Sequence, residues 1–81
     1  FARGDVAQAE ALFRRALAIE EKILGADHPD TALACNNLGV VLQSQNRTAE
    51  ARALFARALA IFRAALGDTH PKTVAARENL G

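Results

Sequence analysis

The sequence predicts an all-α protein, an α-solenoid built from antiparallel helix pairs, and three observations carry that expectation. The chain repeats itself: a shift of its 81 residues by 42 places sets residues 1–39 on residues 43–81 with 19 identical pairs. Nineteen residues are Ala and the only aromatics are four Phe, a composition that suits closely packed helices better than sheets. Apolar and small residues recur at steps of three and four, which lays one stripe along a helix.

The first helix is expected from Val6 to Leu24, with its stripe through Ala9, Leu12, Phe13, Ala16, Leu17, Ile23 and Leu24. Asp5 with Gln8 forms a capping box at its start, and Gly4 ahead of it takes the left-handed conformation. Gly25 ends the helix, because glycine alone enters a positive-φ position after the last turn without steric cost. Pro29 opens the next helix: its missing N–H would be unpaired there anyway, and it pushes the residue before it toward extended geometry. Either Asp27 or His28 is the cap. The second helix runs to about Ser44 and turns Ala34, Cys35, Leu38, Val41 and Leu42 inward. Gln45, Asn46 and Arg47 make a short turn, with Asn46 left-handed, that returns the chain antiparallel. The third helix spans Ala49 to Leu66 through Ala51, Leu54, Phe55, Ala58, Leu59, Phe62, Ala65 and Leu66. "GDTHPKTVAARENLG" at 67–81 then repeats the stop, start and helical face of "GADHPDTALACNNLG" at 25–39, with Thr69 matching Asp27 and His70 matching His28.

Residues 1–24 are thus the second helix of one repeat, 25–66 a complete repeat of 42 residues, and 67–81 the start of another, in a single array. Residue 1 aligns with Gln43 and Gly81 with Gly39, so the chain is expected to be a slice of a longer array. Solenoid repeats are stabilised by their neighbours, which leaves Leu12, Phe13 and Leu17 at one end and Val74 and Leu80 at the other short of partners. Head-to-tail stacking of copies, or another homo-oligomer, follows as an expectation.

Internal spacing separates this repeat from other helical arrays. Cys35-x2-Leu38-Gly39-x2-Leu42, followed by Ala51-x3-Phe55 and then Ala58, resembles the tetratricopeptide pattern, with Cys in the tryptophan place and Leu in the tyrosine place. Arg63 stands where shorter family members end their second helix with proline, so this helix continues further. The longer helix, the Leu-Gly-x-x-His-Pro-x-Thr connector and the Asn-Leu-Gly run together resemble the 42-residue repeats of kinesin light chains and similar bacterial proteins. That resemblance implies a right-handed superhelix and a protein-interaction scaffold, with the first helix of each repeat lining a concave groove for an extended or helical peptide. On it, Asn37 and Asn79 form a ladder toward a peptide backbone, since one amide offers both donor and acceptor. Leu33, Asn36, Val40, Gln43 and Ser44 share that face by helical spacing, as do Ala75 and Glu78 in the second copy. Asn37 and Asn79 have a plainer alternative, bonding between neighbouring helices. Family members that clamp a C-terminal carboxylate need Lys and Arg here; Asn36, Val40, Ala75 and Glu78 supply none, although Asn37 fits one clamp place.

Other function classes find little support. Ten Lys and Arg against nine Asp and Glu leave no broad field to recruit nucleic acid or anionic lipid, so helical-repeat RNA binding is the weaker alternative. No apolar run approaches the roughly 18 residues that cross a bilayer, and no membrane partner is expected. One Cys makes no intrachain disulfide and fits no metal-ligand spacing, which points to a reducing, cytoplasmic setting. His28 and His70 stand one repeat apart with no duplicated ligand beside them, and Cys35 belongs to the inward stripe. Neither a phosphate loop nor a nucleophile constellation occurs, so neither an enzyme nor a cofactor is expected. Arg14, Arg15, Arg52, Arg57 and Arg63 lie on the outer faces of the longer helices as solubilising charge, and Glu10 with Arg14 is an i,i+4 pair.

Overall fold

A computed structural model of the chain describes residues 3–81, with side chains from Gly4 onward; the alignment of Phe1 with Gln43 therefore lies outside the described residues. Four helices follow one another: α1 (Arg3–Leu24), α2 (Pro29–Ser44), α3 (Thr48–Leu66) and α4 (Pro71–Leu80). Each packs on the next in sequence, which is the contact pattern of an α-solenoid rather than of a closed bundle.

The punctuation works as the residue types dictate. Gly25 and Gly67 have φ of 96° and 91°. At Gly67 ψ is 163°, so this glycine leaves the helix in the extended positive-φ region that is closed to residues with a Cβ, not in the left-handed helical one. Asn46 takes φ 62° in the turn between α2 and α3. His28 and His70 are the caps: each Nδ1 accepts from the backbone N–H two residues on, at 3.0 Å from Asp30 and 3.1 Å from Lys72. Asp27 and Thr69 take no part, and the Nδ1 of each imidazole is used at a helix start.

The start of α1 departs from expectation. The chain is helical from Arg3, the first described residue, which places Gly4 in the helix rather than in a left-handed lead-in, and Asp5 inside the helix rather than at its cap. An acidic residue still suits that turn, because the unpaired N–H groups there carry partial positive charge.

The core gathers around α2 and α3. Ala34, Cys35, Leu38, Val41 and Leu42 are buried from α2, and Ala51, Phe55, Ala58, Ile61 and Phe62 from α3. The tightest point is Gly39, where a Cβ would stand 2.6 Å from the Phe55 ring. Glycine there lets α2 approach α3 closely and lets Phe55 fill the groove. At the chain's first end Leu12 stays exposed and Phe13 half-buried, whereas Leu17 is buried against α2, contrary to the expectation that it lacks partners. Val74 and Leu80 are half-buried at the other end. Ala65 in α3 and Ile23 and Leu24 in α1 face solvent, so the inward stripe ends sooner than the residue pattern suggests.

Polar contacts join the helices at their rims. Glu10 takes Arg14 at 2.8 Å, Arg47 at 2.8 Å and Gln45 at 3.0 Å, tying α1 to the α2–α3 turn. Those three donors hold the Glu10 carboxyl at about 2, well below its ordinary 4.5, with the Arg14 hydrogen bond the largest cause. Arg57 reaches Glu21 at 3.3 Å and Arg52 donates to the Leu80 carbonyl at 2.8 Å, so both do more than solubilise.

Candidate functional site

Burying one side of α2 dictates what the other side offers. With Leu38 and Leu42 fixed in the core, the 3.6-residue period turns Leu33, Asn37, Val40, Gln43 and Ser44 to solvent, and all five are exposed. Leu33 and Val40, two turns apart, are large apolar side chains left open. Asn36 is half-buried at the edge of this strip. Ala75, Glu78 and Asn79 are the exposed residues expected on α4.

The structure joins the two sets through an unexpected pair. Asn79 Nδ2 donates to Asn36 Oδ1 at 2.7 Å, which links α4 to α2. One amide of the expected ladder is therefore used between helices and keeps its carbonyl oxygen free, while Asn37 makes no side-chain hydrogen bond among the described residues. Ser44 Oγ is turned back onto the Val41 carbonyl, leaving its hydroxyl only as an acceptor for a ligand.

Beside this strip lies a groove between α1 and α2, enclosing about 170 Å³ and lined by Phe13, Ala16, Glu20, Leu33, Ala34 and Asn37, with Asp30 at one edge. Its walls are apolar in the middle and acidic toward the start of α2. Glu20 Oε2 is buried and accepts no hydrogen bond among the described residues. The residues of α1 in this groove escape attention in a search for site chemistry, because Phe13 and Ala16 belong to the core stripe of the repeat. A signal was present in the repeat comparison: Glu20 is the acidic residue that replaces the buried Phe62 one period later.

Among the described residues, the side chains of this arrangement do not assemble a reacting centre. Cys35 is fully buried, and burial pushes its thiol up, away from the reactive thiolate. What the geometry offers is a surface: helical hairpins in series, an open strip on one helix of each pair, and a shallow groove. That defines a helical-repeat module. Family comparison makes the assignment specific, since a tetratricopeptide repeat model matches residues 1–64 and again 35–81, and the chain belongs to that family. Comparison with curated proteins finds no match. Members of the tetratricopeptide family are non-catalytic scaffolds that mediate protein–protein interaction.

Proposed function

We propose that the chain binds an extended or helical peptide segment of a protein partner along the face formed by α2 and α4. The observation that carries this reading is the open strip Leu33, Asn37 and Val40, continued onto α4 through the Asn36–Asn79 bond. Leu33 and Val40 supply apolar contact, and Asn37 has both amide groups available for a peptide backbone. Gln43, Ser44, Ala75 and Glu78 border the strip. With Glu78 there and no Arg on the face, a peptide carrying apolar and basic side chains fits better than one ending in a carboxylate. The 42-residue period with its two His-Pro connectors supports placing the repeat in the kinesin-light-chain-like subtype. The balanced net charge of +1 favours a protein partner over nucleic acid or membrane, and a lone core Cys favours the cytoplasm.

The test is selection of peptides from a displayed random library on the wild-type chain, followed by affinity measurement on Leu33→Ser/Asn37→Ala. Both side chains are exposed, so circular dichroism should be unchanged while affinity falls roughly tenfold or more. Equal affinity of the selected peptides for both proteins sinks the reading.

A second reading is self-association through the exposed repeat ends. It is favoured by one observation: Ile19 is 48% exposed although its duplicate Ile61 is 5% exposed.

A further inference from the structure

We infer that α1 supplies the cap that α3 lacks: a closed ring of four alternating charges, two from α1 and two from the start of α3, makes the first turn of α3 depend on α1 being docked. The device is independent of what the open strip on α2 binds.

Helices α2 and α4 are capped from within. His28 and His70 each accept from the amide two residues on, and Pro29 and Pro71 have no N–H to satisfy. Helix α3 begins differently. Its cap residue is Arg47, at φ −91° and ψ 65°, with no side-chain bond to the first amides of the helix. Thr48, Ala49 and Glu50 then each bring an N–H with no carbonyl one turn back to receive it. Glu50 stands at the third helical position, from which a carboxylate can reach back to the amide of the cap residue. Here that amide donates to the Leu42 carbonyl at 3.0 Å, and the Glu50 carboxylate is held in a fork by the Arg47 guanidinium, at 3.2 Å from Nε and 2.8 Å from Nη2.

What α3 has instead comes from α1. Glu10 Oε1 takes Arg47 Nη1 at 2.8 Å, Glu10 Oε2 takes Arg14 Nε at 2.8 Å, and Arg14 Nη2 returns to Glu50 Oε2 at 3.5 Å. The circuit Arg14–Glu10–Arg47–Glu50 closes with each charge flanked by two of the opposite sign. All three guanidinium nitrogens of Arg47 are engaged, Nη1 also on Gln45 at 3.0 Å, so the cap residue is pinned from both helices. The ring also brings a second carboxylate to the start of α3, where the open amides carry partial positive charge. A single exposed ion pair contributes little, but a forked pair inside a closed network contributes more. Glu10, at its centre, keeps 18% of its side-chain exposure. Its carboxyl, held at about 2, stays charged at neutral pH, so salt rather than acid is the lever on the ring.

The ring is not a property of the repeat. One period away from Glu10, Arg14, Arg47 and Glu50 stand Arg52, Ala56, Asp5 and Gln8, so two positions reverse their charge and two lose it. The core positions behave oppositely: Ala9, Phe13 and Ala16 are matched by Ala51, Phe55 and Ala58. The repeat thus carries the packing, and this one junction carries an added electrostatic link. Through it, whatever loosens α1 from the α2–α3 turn also unpins Arg47 and frees the first turn of α3, beginning with the bond from the Ala51 amide to the Arg47 carbonyl at 3.0 Å. The helices that own their caps, α2 and α4, lie outside this linkage.

The test is amide exchange of the full 81-residue chain, read at Ala32, Ala51 and Val74. Their N–H groups donate to the cap carbonyls of His28, Arg47 and His70, and so report the first turns of α2, α3 and α4. Arg14→Gln opens the ring from α1 and changes no residue of α3; Arg15→Gln removes the same charge one position away. Arg14→Gln is expected to speed exchange at Ala51 roughly threefold or more, with Ala32 and Val74 unchanged. Arg14→Lys should recover most of that protection, and Arg15→Gln should leave all three amides alone. Salt raised to about 1 M, where the screening length falls to about 3 Å, should reproduce the Arg14→Gln pattern in the wild-type chain. A loss confined to Ala51 is a pattern that general destabilisation does not give. Equal rates at Ala51 in Arg14→Gln and Arg15→Gln, protection at Ala51 that is indifferent to salt, or acceleration of all three amides together overturns the inference.

Discussion

Helices α1 and α3 carry the same words in different surroundings. Residues 15–19 and 57–61 are identical, as are the Leu-Phe pairs at 12–13 and 54–55. Yet Leu12 is 62% exposed and Phe13 half-buried, while Leu54 is half-buried and Phe55 is 1% exposed. Local sequence determines that both are helices and which side of each is apolar. It does not determine whether that side is covered, because the cover comes from another helix: Phe55 is closed over by α2 at Gly39. Helical periodicity and burial are separate facts here, and the two copies pull them apart.

The largest expected effect tests that separation directly. Phe55→Ala should cost about 3–5 kcal/mol, as for a large aromatic removed from a closed core. Phe13→Ala, the same change in the same sequence context, should cost less than half as much, because water already reaches part of the ring. Urea unfolding of the two variants gives both numbers. Equal losses would mean that α1 is as well covered as α3, and the comparison would collapse.

The next effect sharpens the comparison at a position where the copies carry opposite charge. Glu10 and Arg52 are equivalent in the repeat, and each ties its helix to a neighbour: Glu10 to the turn residues Gln45 and Arg47, Arg52 to the last carbonyl of α4. Glu10→Gln should cost about 1 kcal/mol at neutral pH, since the amide keeps an acceptor but loses the charge that Arg14 and Arg47 answer. The pH dependence follows from the direction of the shift. The folded carboxyl lies at about 2 against an ordinary 4.5, so its contribution is complete above about 4.5 and is lost as pH falls toward 2. The gap in urea midpoint between wild type and Glu10→Gln should therefore be constant from pH 7 to about 5 and close between 4.5 and 2. A gap that persists at pH 2 would show that the carboxylate's charge is not what holds the turn.

How much of this was legible in the sequence follows the same division. Glycine, proline and asparagine act through their own backbone preferences, so the bounds of α2, the turn at Asn46 and the stops at Gly25 and Gly67 were readable residue by residue. The core of α2 was readable too, since one apolar stripe on a 16-residue helix leaves little choice of buried face. Leu17 is covered by α2, which packs on α1 from a direction that periodicity along α1 does not reveal. The Gly4–Asp5 pair looks like a turn, yet neither residue takes a positive φ and helix extends through both. The exposed strip was readable as the complement of the core. Its internal pairing was not: Asn36 rather than Asn37 meets Asn79, because a neighbouring helix is offset as well as translated. The groove's acidity needed both copies side by side, where Glu20 against Phe62 stands out.

The smallest effect is the control for the whole comparison. His28 and His70 cap their helices with nearly the same backbone, φ and ψ of −78° and 142° in one and −63° and 140° in the other. A cap of this kind is built from residues two apart and owes nothing to the next repeat. His28→Ala and His70→Ala should therefore each weaken their own helix start by about 0.5–1 kcal/mol, read as faster amide exchange at Asp30 and Lys72 respectively. A modest excess at Lys72 is expected, since a cation in the first turn opposes the helix dipole whereas Asp30 complements it. If instead one substitution had no effect while the other was large, the caps would depend on their neighbours as the aromatic positions do. The boundary between what a repeat carries in itself and what it receives from the array would then have to be redrawn.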